Sequence, residues 1–321
     1  MNFRSRIFIA GHRGLVGSSL IRELSRRGYS NVITRPHRSL ELTDARAVAD
    51  FLAQTRPEVI FLAAARVGGI HANDTRPAEF IRENLAIETN VIHEAASAGV
   101  ESLLFFGSSC MYPRDAQQPV QERALMTGPL EPTNRAYGVA KIAGAELCWA
   151  YNRQYQTRFL CAVPTGVYGP GDNYDLHTSH VLPALIRRFH EAKEHRARKV
   201  VLWGTGAPRR EFLHCDDLAA ACVYLMELSL EHRDSLFRED EPPLINVGGG
   251  EELPISDLAH RIRALIGADV AIEWDRTKPD GSPRKALDSS RLAALGWVPS
   301  IDLDAGLRDT YAHFRNRDAK G

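Results

Sequence analysis

Cysteine is scarce in this 321-residue chain: five thiols, at positions 110, 148, 161, 215 and 222, lack the even count and close spacing of a disulfide framework or a zinc ribbon. A reducing, cytoplasmic setting is the expectation, and no metal site is expected. Long apolar runs are also missing. Nothing approaches the ~18 consecutive apolar residues of a membrane span, and Met1 to Phe8 carries Arg4 and Arg6 before entering a strand, so neither signal peptide nor membrane anchor is expected. Charge of one sign is not in surplus, with Lys plus Arg at 40 and Asp plus Glu at 40. No overall field then holds the chain on nucleic acid or an anionic membrane, and the expected partner is a small molecule. Internal repeats, low-complexity tracts and flexible linkers are absent. What remains, 44% hydrophobic and 25% charged, is an ordinary globular composition with enough chain for one large domain or two joined ones.

Arg6-Ile7-Phe8-Ile9-Ala10 is a short apolar run that ends in Gly11-His12-Arg13-Gly14-Leu15-Val16-Gly17, after which a helical periodicity runs to Arg27 and stops at Gly28. Glycines three apart at a strand-to-helix turn let the backbone turn tightly, let a pyrophosphate approach the helix N-terminus, and let helix pack on strand. A dinucleotide loop is the reading; unrelated glycines in a structural turn are the plain alternative. The second strand, Asn31 to Thr34, leads into Thr34-Arg35-Pro36-His37-Arg38-Ser39 rather than into an Asp or Glu for a ribose 2′-hydroxyl. Arg35, Arg38 and the loop's Arg13 suit a 2′-phosphate, which favours NADP(H). Strands follow at 58–65 and 102–107, a long helix between them at 78–99, a helix at 135–156 and a strand at 159–163. Five strand–helix steps predict an α/β fold with a doubly wound parallel sheet, its ligands at the carboxyl ends of the strands.

After Pro164 the alternation stops. A turn-rich loop at 165–173, a helix at 179–194, a short strand at 200–203, a helix at 216–230, a strand at 244–247 that could rejoin the sheet, and a turn at Pro279-Asp280-Gly281 suggest a smaller α/β substrate lobe. The expected division is a dinucleotide-binding Rossmann domain over 1–165, rejoined by about 214–248, with the substrate-binding lobe made of 166–213 and 249–321.

Tyr137 and Lys141, four apart in a helix, project from one face, and Ser108 stands at the end of an apolar strand. An ammonium beside a phenol favours phenolate and lowers its pKa from ~10, so the expectation is a tyrosine able to exchange a proton with a carbonyl or alcohol oxygen, with Ser108 hydrogen-bonded to the same oxygen. Strand, glycine loop and helix at the start, followed by this trio, resemble the extended short-chain dehydrogenase/reductases.

Ser108-Ser109-Cys110-Met111-Tyr112-Pro113 places a thiol where many sugar-nucleotide dehydratases of that superfamily carry an acidic pair. A thiol near a cation can abstract a proton alpha to a carbonyl; the plain alternative is a small buried hydrophobe, which suits Cys148 and Cys161. His180, at the start of a helix, is the candidate partner that returns a proton to the opposite side of the carbon.

Taken with Ala63-Ala64-Ala65-Arg66-Val67-Gly68-Gly69-Ile70, Glu131-Pro132-Thr133-Asn134, Ser179-His180-Val181-Leu182-Pro183, Arg210-Glu211-Phe212-Leu213-His214 and Lys278-Pro279-Asp280-Gly281-Ser282-Pro283-Arg284-Lys285, the chain resembles the GDP-L-fucose synthase family nearly end to end. The resemblance implies 3,5-epimerisation of a GDP-4-keto-6-deoxy sugar by Cys110 as base and His180 as acid. Reduction at C4 by NADPH would follow, with Ser108, Tyr137 and Lys141 as the reducing trio. It further implies cofactor contacts from Gly11, His12, Arg13, Gly14, Leu15, Val16, Gly17, Arg35, Arg38, Ala64, Gly107, Lys141, Pro164, Gly166, Val167 and His180. Substrate contacts would come from Arg188, Trp203, Arg210 and Asp280; Arg187 and Arg188 cannot both point inward. A homodimer paired through the helices at 78–99 and 135–156 is expected. Three stretches depart from the family pattern: Arg135-Ala136 and Gly138 flank the tyrosine where Glu-Pro and Ala are common, Gly166 stands where Asn is common, and Arg35-Pro36-His37-Arg38 is shifted relative to the usual basic pattern. A single-step 4-epimerase or 4-reductase, and a non-catalytic NADP-binding regulator, are the competing readings, the second disfavoured because Ser108, Tyr137 and Lys141 are all present.

Overall fold

A computed structural model describes residues 1–278 and 280–318; Pro279, in the turn expected at 279–281, lies outside the described residues. The first half is strand–helix alternation: β1 Ile7–Ala10, α1 Leu15–Arg26, β2 Val32–Thr34, α2 Ala45–Thr55, β3 Val59–Leu62, α3 Ile70–Thr75, α4 Pro77–Ser97, β4 Ser102–Phe106, α5 Arg135–Tyr155 and β5 Phe159–Pro164. The second half runs through β6 Gly166–Tyr168, α6 Val181–Glu194, β7 Lys199–Trp203, β8 Arg209–His214, α7 Cys215–Glu227, α8 Leu230–Asp234 and β9 Leu244–Val247. It ends with β10 Glu251–Pro254, α9 Ile255–Ile266, β11 Ala271–Asp275, β12 Arg284–Lys285, α10 Ser290–Ala294 and α11 Leu303–Asp318.

Six strands form one parallel sheet in the order β2-β1-β3-β4-β5-β9. The strands read as continuous apolar runs because both faces are covered. Phe8, Ile60, Leu62, Leu103 and Phe105 share one core with residues of α2, α4 and α5, while Ile7, Ile9, Val59, Phe61 and Leu104 turn to the opposite face, against α1 and α7. Strand order reverses between β1 and β3, which opens a crevice at their carboxyl ends. This is the doubly wound sheet that the alternation predicts.

Outside that sheet, β8 pairs with β6, β10 and β12, and β7 pairs with β11. A third core, with Leu182, Ile186 and Phe189 of α6, Leu258 and Ile262 of α9, and Leu307 and Phe314 of α11, packs beneath these small sheets. Helices α9 and α11 supply much of this core from the region beyond 249, where the sequence reading named only the turn at 279–281. The helix expected from Ser179 begins at Val181, with His180 as its N-cap. No helix among the described residues is long and apolar enough to cross a membrane.

Candidate active site

The crevice opens into a cavity of about 1870 Å³ between the main sheet and the smaller ones. Its floor is the β1–α1 turn. Gly11 has φ +86°, and a Cβ there would stand 2.6 Å from Ala64 N; at Gly17 a Cβ would stand 2.2 Å from Gly11 O. Only glycine lets the turn close so tightly on strand and helix. Gly14 caps α1 without a side-chain hydrogen bond, so the first amides of a twelve-residue helix face the cavity unclaimed by any side chain. Free amides, the helix dipole, and Arg13 and Arg35 on the wall fit a phosphate-bearing dinucleotide. The Arg35 guanidinium lies over the Phe51 ring, 5.4 Å from its centroid, and donates to Thr34 O.

Arg38 does not join this wall. It is exposed on the 3-10 turn His37–Ser39, outside the cavity lining, so the basic cluster expected of three arginines is Arg13 and Arg35. All other residues singled out for cofactor or substrate, and all five proposed proton-handling residues, line this one cavity.

Ser108 ends the strand-like run after β4, its hydroxyl accepting from Cys110 N at 3.2 Å. Two donors approach the Cys110 sulfur: Asn134 Nδ2 at 3.2 Å and Lys285 Nζ at 3.6 Å. The charge of the same Lys285, on β12, also acts on His180. His180 is exposed to the cavity, inside the crevice rather than on the outer surface. That enclosure, and then Lys285, push its pKa below the ordinary imidazole value.

The Tyr137–Lys141 pair departs from expectation. Lys141 is buried, its Nζ 3.0 Å from Glu88 Oε1 on α4, 4.5 Å from the Phe105 ring centroid and 5.8 Å from that of Tyr137. The phenol pKa is raised, not lowered. Burial is the largest cause, the negative charges of Cys110 and Glu88 add to it, and the hydrogen bond with Ser108 pulls the other way. The i,i+4 spacing shows the cation but not the carboxylate beneath it.

On the far side of the cavity Arg188 lines the wall while Arg187 turns away to Glu191 Oε1 and Tyr174 O. Arg210 is pulled down in pKa by burial, opposed by Cys110, Asp280 and Glu131. Trp203 is half exposed, with Lys278 Nζ 5.5 Å from its ring centroid. Asp280 accepts from Thr205 N at 2.7 Å and Thr205 Oγ1 at 2.8 Å, so its carboxylate also fixes the loop after β7.

Glu88, Asn134 and Lys285 are site residues to which sequence reasoning assigned no role. For Glu88 a signal existed, an acid on α4 between apolar Ile87 and Val91. Cys148 and Cys161 are buried thiols pushed up by desolvation, Cys161 to about 12, as suits small hydrophobes.

A glycine turn fit for a dinucleotide, Tyr137 beside Ser108, and Cys110 and His180 lining the same crevice suit a nicotinamide-dependent enzyme. The chain belongs to the NAD dependent epimerase/dehydratase family, whose profile it matches over residues 7–237. GDP-L-fucose synthase 1 of Arabidopsis thaliana is 51% identical over 309 residues, 96% of this chain and 92% of that one. GDP-L-fucose synthase of Escherichia coli K12 is 50% identical over 319 residues, 98% of each chain. Among solved structures, the GDP-mannoheptose C4 reductase of Campylobacter jejuni with NADP bound is 36% identical with a TM-score of 0.87, covering 98% of this chain and 99% of that one.

Proposed function

We propose that the chain is a GDP-L-fucose synthase: it inverts C3 and C5 of GDP-4-keto-6-deoxy-D-mannose and reduces C4 with NADPH. The observation that carries this reading is a single cavity lined by Cys110 and His180 as well as by Ser108, Tyr137 and Lys141. The half-identical relatives bearing that name support it.

The substrate's own ketone acidifies C3 and C5, and Cys110 Sγ takes a proton from each in turn while a His180 ring nitrogen supplies one to the opposite face. NADPH, when bound, supplies the hydride for C4. Tyr137 Oη then donates its proton to the C4 oxygen while Ser108 Oγ holds that oxygen. The phenol holds its proton at neutral pH, as the donor in this step must. Lys141 orients the nicotinamide ribose; the Gly11–Gly17 amides hold the pyrophosphate, and Arg13 with Arg35 selects NADP by its 2′-phosphate. NADP in the Campylobacter reductase supports that selection. Arg188 and Arg210 bind the GDP pyrophosphate, Trp203 and Asp280 the rest of the substrate.

We assign residues 1–165 and 214–248 to the cofactor unit and 166–213 with the chain from 249 onward to the substrate lobe. We also propose a homodimer through α4 and α5, where Val139 and Tyr155 are exposed, while Val91 and Ile92 of α4 lie in the core.

Incubation with GDP-4-keto-6-deoxy-mannose and NADPH in deuterated water tests the proposal. GDP-L-fucose labelled at C3 and C5 is expected, and Cys110→Ser abolishes the label. A C4-reduced product without label makes the enzyme a plain reductase, and no NADPH consumption removes both halves.

A further inference from the structure

Lys285 comes to Cys110 from 175 residues further along the chain, carried by a strand of two residues. β12 pairs in parallel with β8, Arg284 with Arg209 and Lys285 with Arg210, and successive side chains of a strand point to opposite faces. Arg284 turns to Glu252, donating two bonds of 2.7 Å, while Lys285 turns into the cavity with Nζ 3.6 Å from Cys110 Sγ. The backbone on either side is pinned. Arg209 N donates to Pro283 O at 2.8 Å, Ala286 N to Gln118 Oε1 at 2.9 Å and Leu287 N to Glu211 Oε2 at 2.9 Å. Among the described residues Arg284 has its carboxylate and Lys285 has none. The other charged or titratable groups near the sulfur are Arg210 from β8 and Tyr137 from α5; Glu131 and Arg114, beside the same loop, pair with each other at 3.7 Å. Arg210 also answers to Asp280 and Glu131. On His180, at the start of α6, the Lys285 charge disfavours the imidazolium, so this ammonium does not serve proton return. The thiol is the group that gains from it.

We infer that Lys285 is a positioning residue for the epimerisation: its ammonium, donating to Cys110 Sγ, holds that sulfur as the thiolate that takes the protons from C3 and C5. This deepens the reading of the chain as a 3,5-epimerase and rests on it. In the step served, a sulfur lone pair takes the proton and the C–H electron pair passes into the enolate of the C4 ketone; Lys285 keeps its own protons and contributes only charge. A thiolate is the basic form of cysteine, and a neighbouring cation favours it.

The first test needs no substrate. Iodoacetamide alkylates a thiolate, an S–C bond forming as iodide leaves, and Cys148, Cys161, Cys215 and Cys222 are buried, so the rate for the native protein less that for Cys110→Ser reports Cys110. At pH 7 Lys285→Met reacts about three- to tenfold more slowly than wild type, the smaller factor allowing for the greater nucleophilicity of a more basic thiolate. Lys285→Arg, which keeps the charge, restores the rate, and at about pH 10, where a thiol ionises unaided, the deficit of Lys285→Met disappears. Equal rates at pH 7 in wild type and Lys285→Met overturn the inference, as does a deficit that persists at the higher pH or that Lys285→Arg shares. Lys285→Gln replaces a Lys285→Met that does not fold; failure of both to fold assigns Lys285 to stability and overturns the inference too. With GDP-4-keto-6-deoxy-mannose, single-turnover deuterium uptake at C3 and C5 slows by a similar factor in Lys285→Met at pH 7, and unchanged uptake overturns the inference. Wild type that takes up no deuterium sinks the functional reading, and the alkylation rates still decide whether Lys285 holds the thiolate.

Discussion

Asp172, in the turn after β6, is 5% exposed, and burial raises its pKa from 3.8 to about 7. Oδ1 accepts from Asn173 N at 2.7 Å, while Oδ2 has no hydrogen-bond partner among the described residues. Between pH 4 and 7 the unfolded chain ionises this carboxyl and the folded chain keeps its proton. The folded state therefore binds more protons, and stability falls as pH rises through that window and is level above it. The difference of 3.2 between 7 and 3.8 corresponds to about 4 kcal/mol at about 1.36 kcal/mol per pH unit. Asp172→Asn keeps the Oδ1 acceptor and has nothing to titrate. Its stability relative to wild type must rise by about 3 kcal/mol from pH 5 to pH 8, because roughly a third of the window is already crossed at pH 5. Urea unfolding of both proteins at the two pH values measures this, and every other titrating group cancels in the difference. A relative stability independent of pH refutes the assignment of a desolvated, unpaired carboxyl.

Other consequences are nearer the site. Gly17→Ala puts a Cβ on a backbone carbonyl and costs about 1–3 kcal/mol or more, with NADPH affinity falling alongside the melting temperature; Gly28→Ala meets open space and pays only for φ +87°, about 1 kcal/mol, with unchanged NADPH affinity by fluorescence titration. Gly166→Ala and Gly166→Asn lose stability to a similar extent in calorimetry, about 1–3 kcal/mol, because the obstacle is Glu211 O, 2.7 Å from the added Cβ, and not the amide head. Since His180 is held below 6.5, its imidazolium is lost before neutrality as pH rises. The falling limb of deuterium uptake at C3 and C5, followed in single turnovers, must therefore be lost in His180→Gln, and a falling limb unchanged in that variant rules out His180 as a cationic acid.

Local features carried most of the legible part. Strand, glycine turn and helix adjoin in the chain, and so do Tyr137 and Lys141, so periodicity and spacing suffice to place them. The burial that raises the phenol, and the Glu88 carboxylate beneath Lys141, were not legible, because both arise only once α4 and α5 pack side by side. Arg38 stands outside the cavity lining for a related reason: Arg35 leaves β2 at the crevice, and the tight turn through His37–Ser39 carries Arg38 to the exposed side. In the smaller lobe β8 recruits β6, β10 and β12 from three distant stretches, a pairing that no periodicity announces. Gly138 shows how such packing reverses a reading. By helix propensity it is a loss of about 1 kcal/mol against Ala. In the fold a Cβ at 138 would stand 2.6 Å from Cys110 O, a backbone atom, and 3.1 Å from Leu130 Cδ1. The bare position lets the phenol-bearing helix lie directly on the thiol-bearing loop, so one backbone contact sets the spacing between Tyr137 and Cys110, and the propensity lost in α5 is the cost of that close approach.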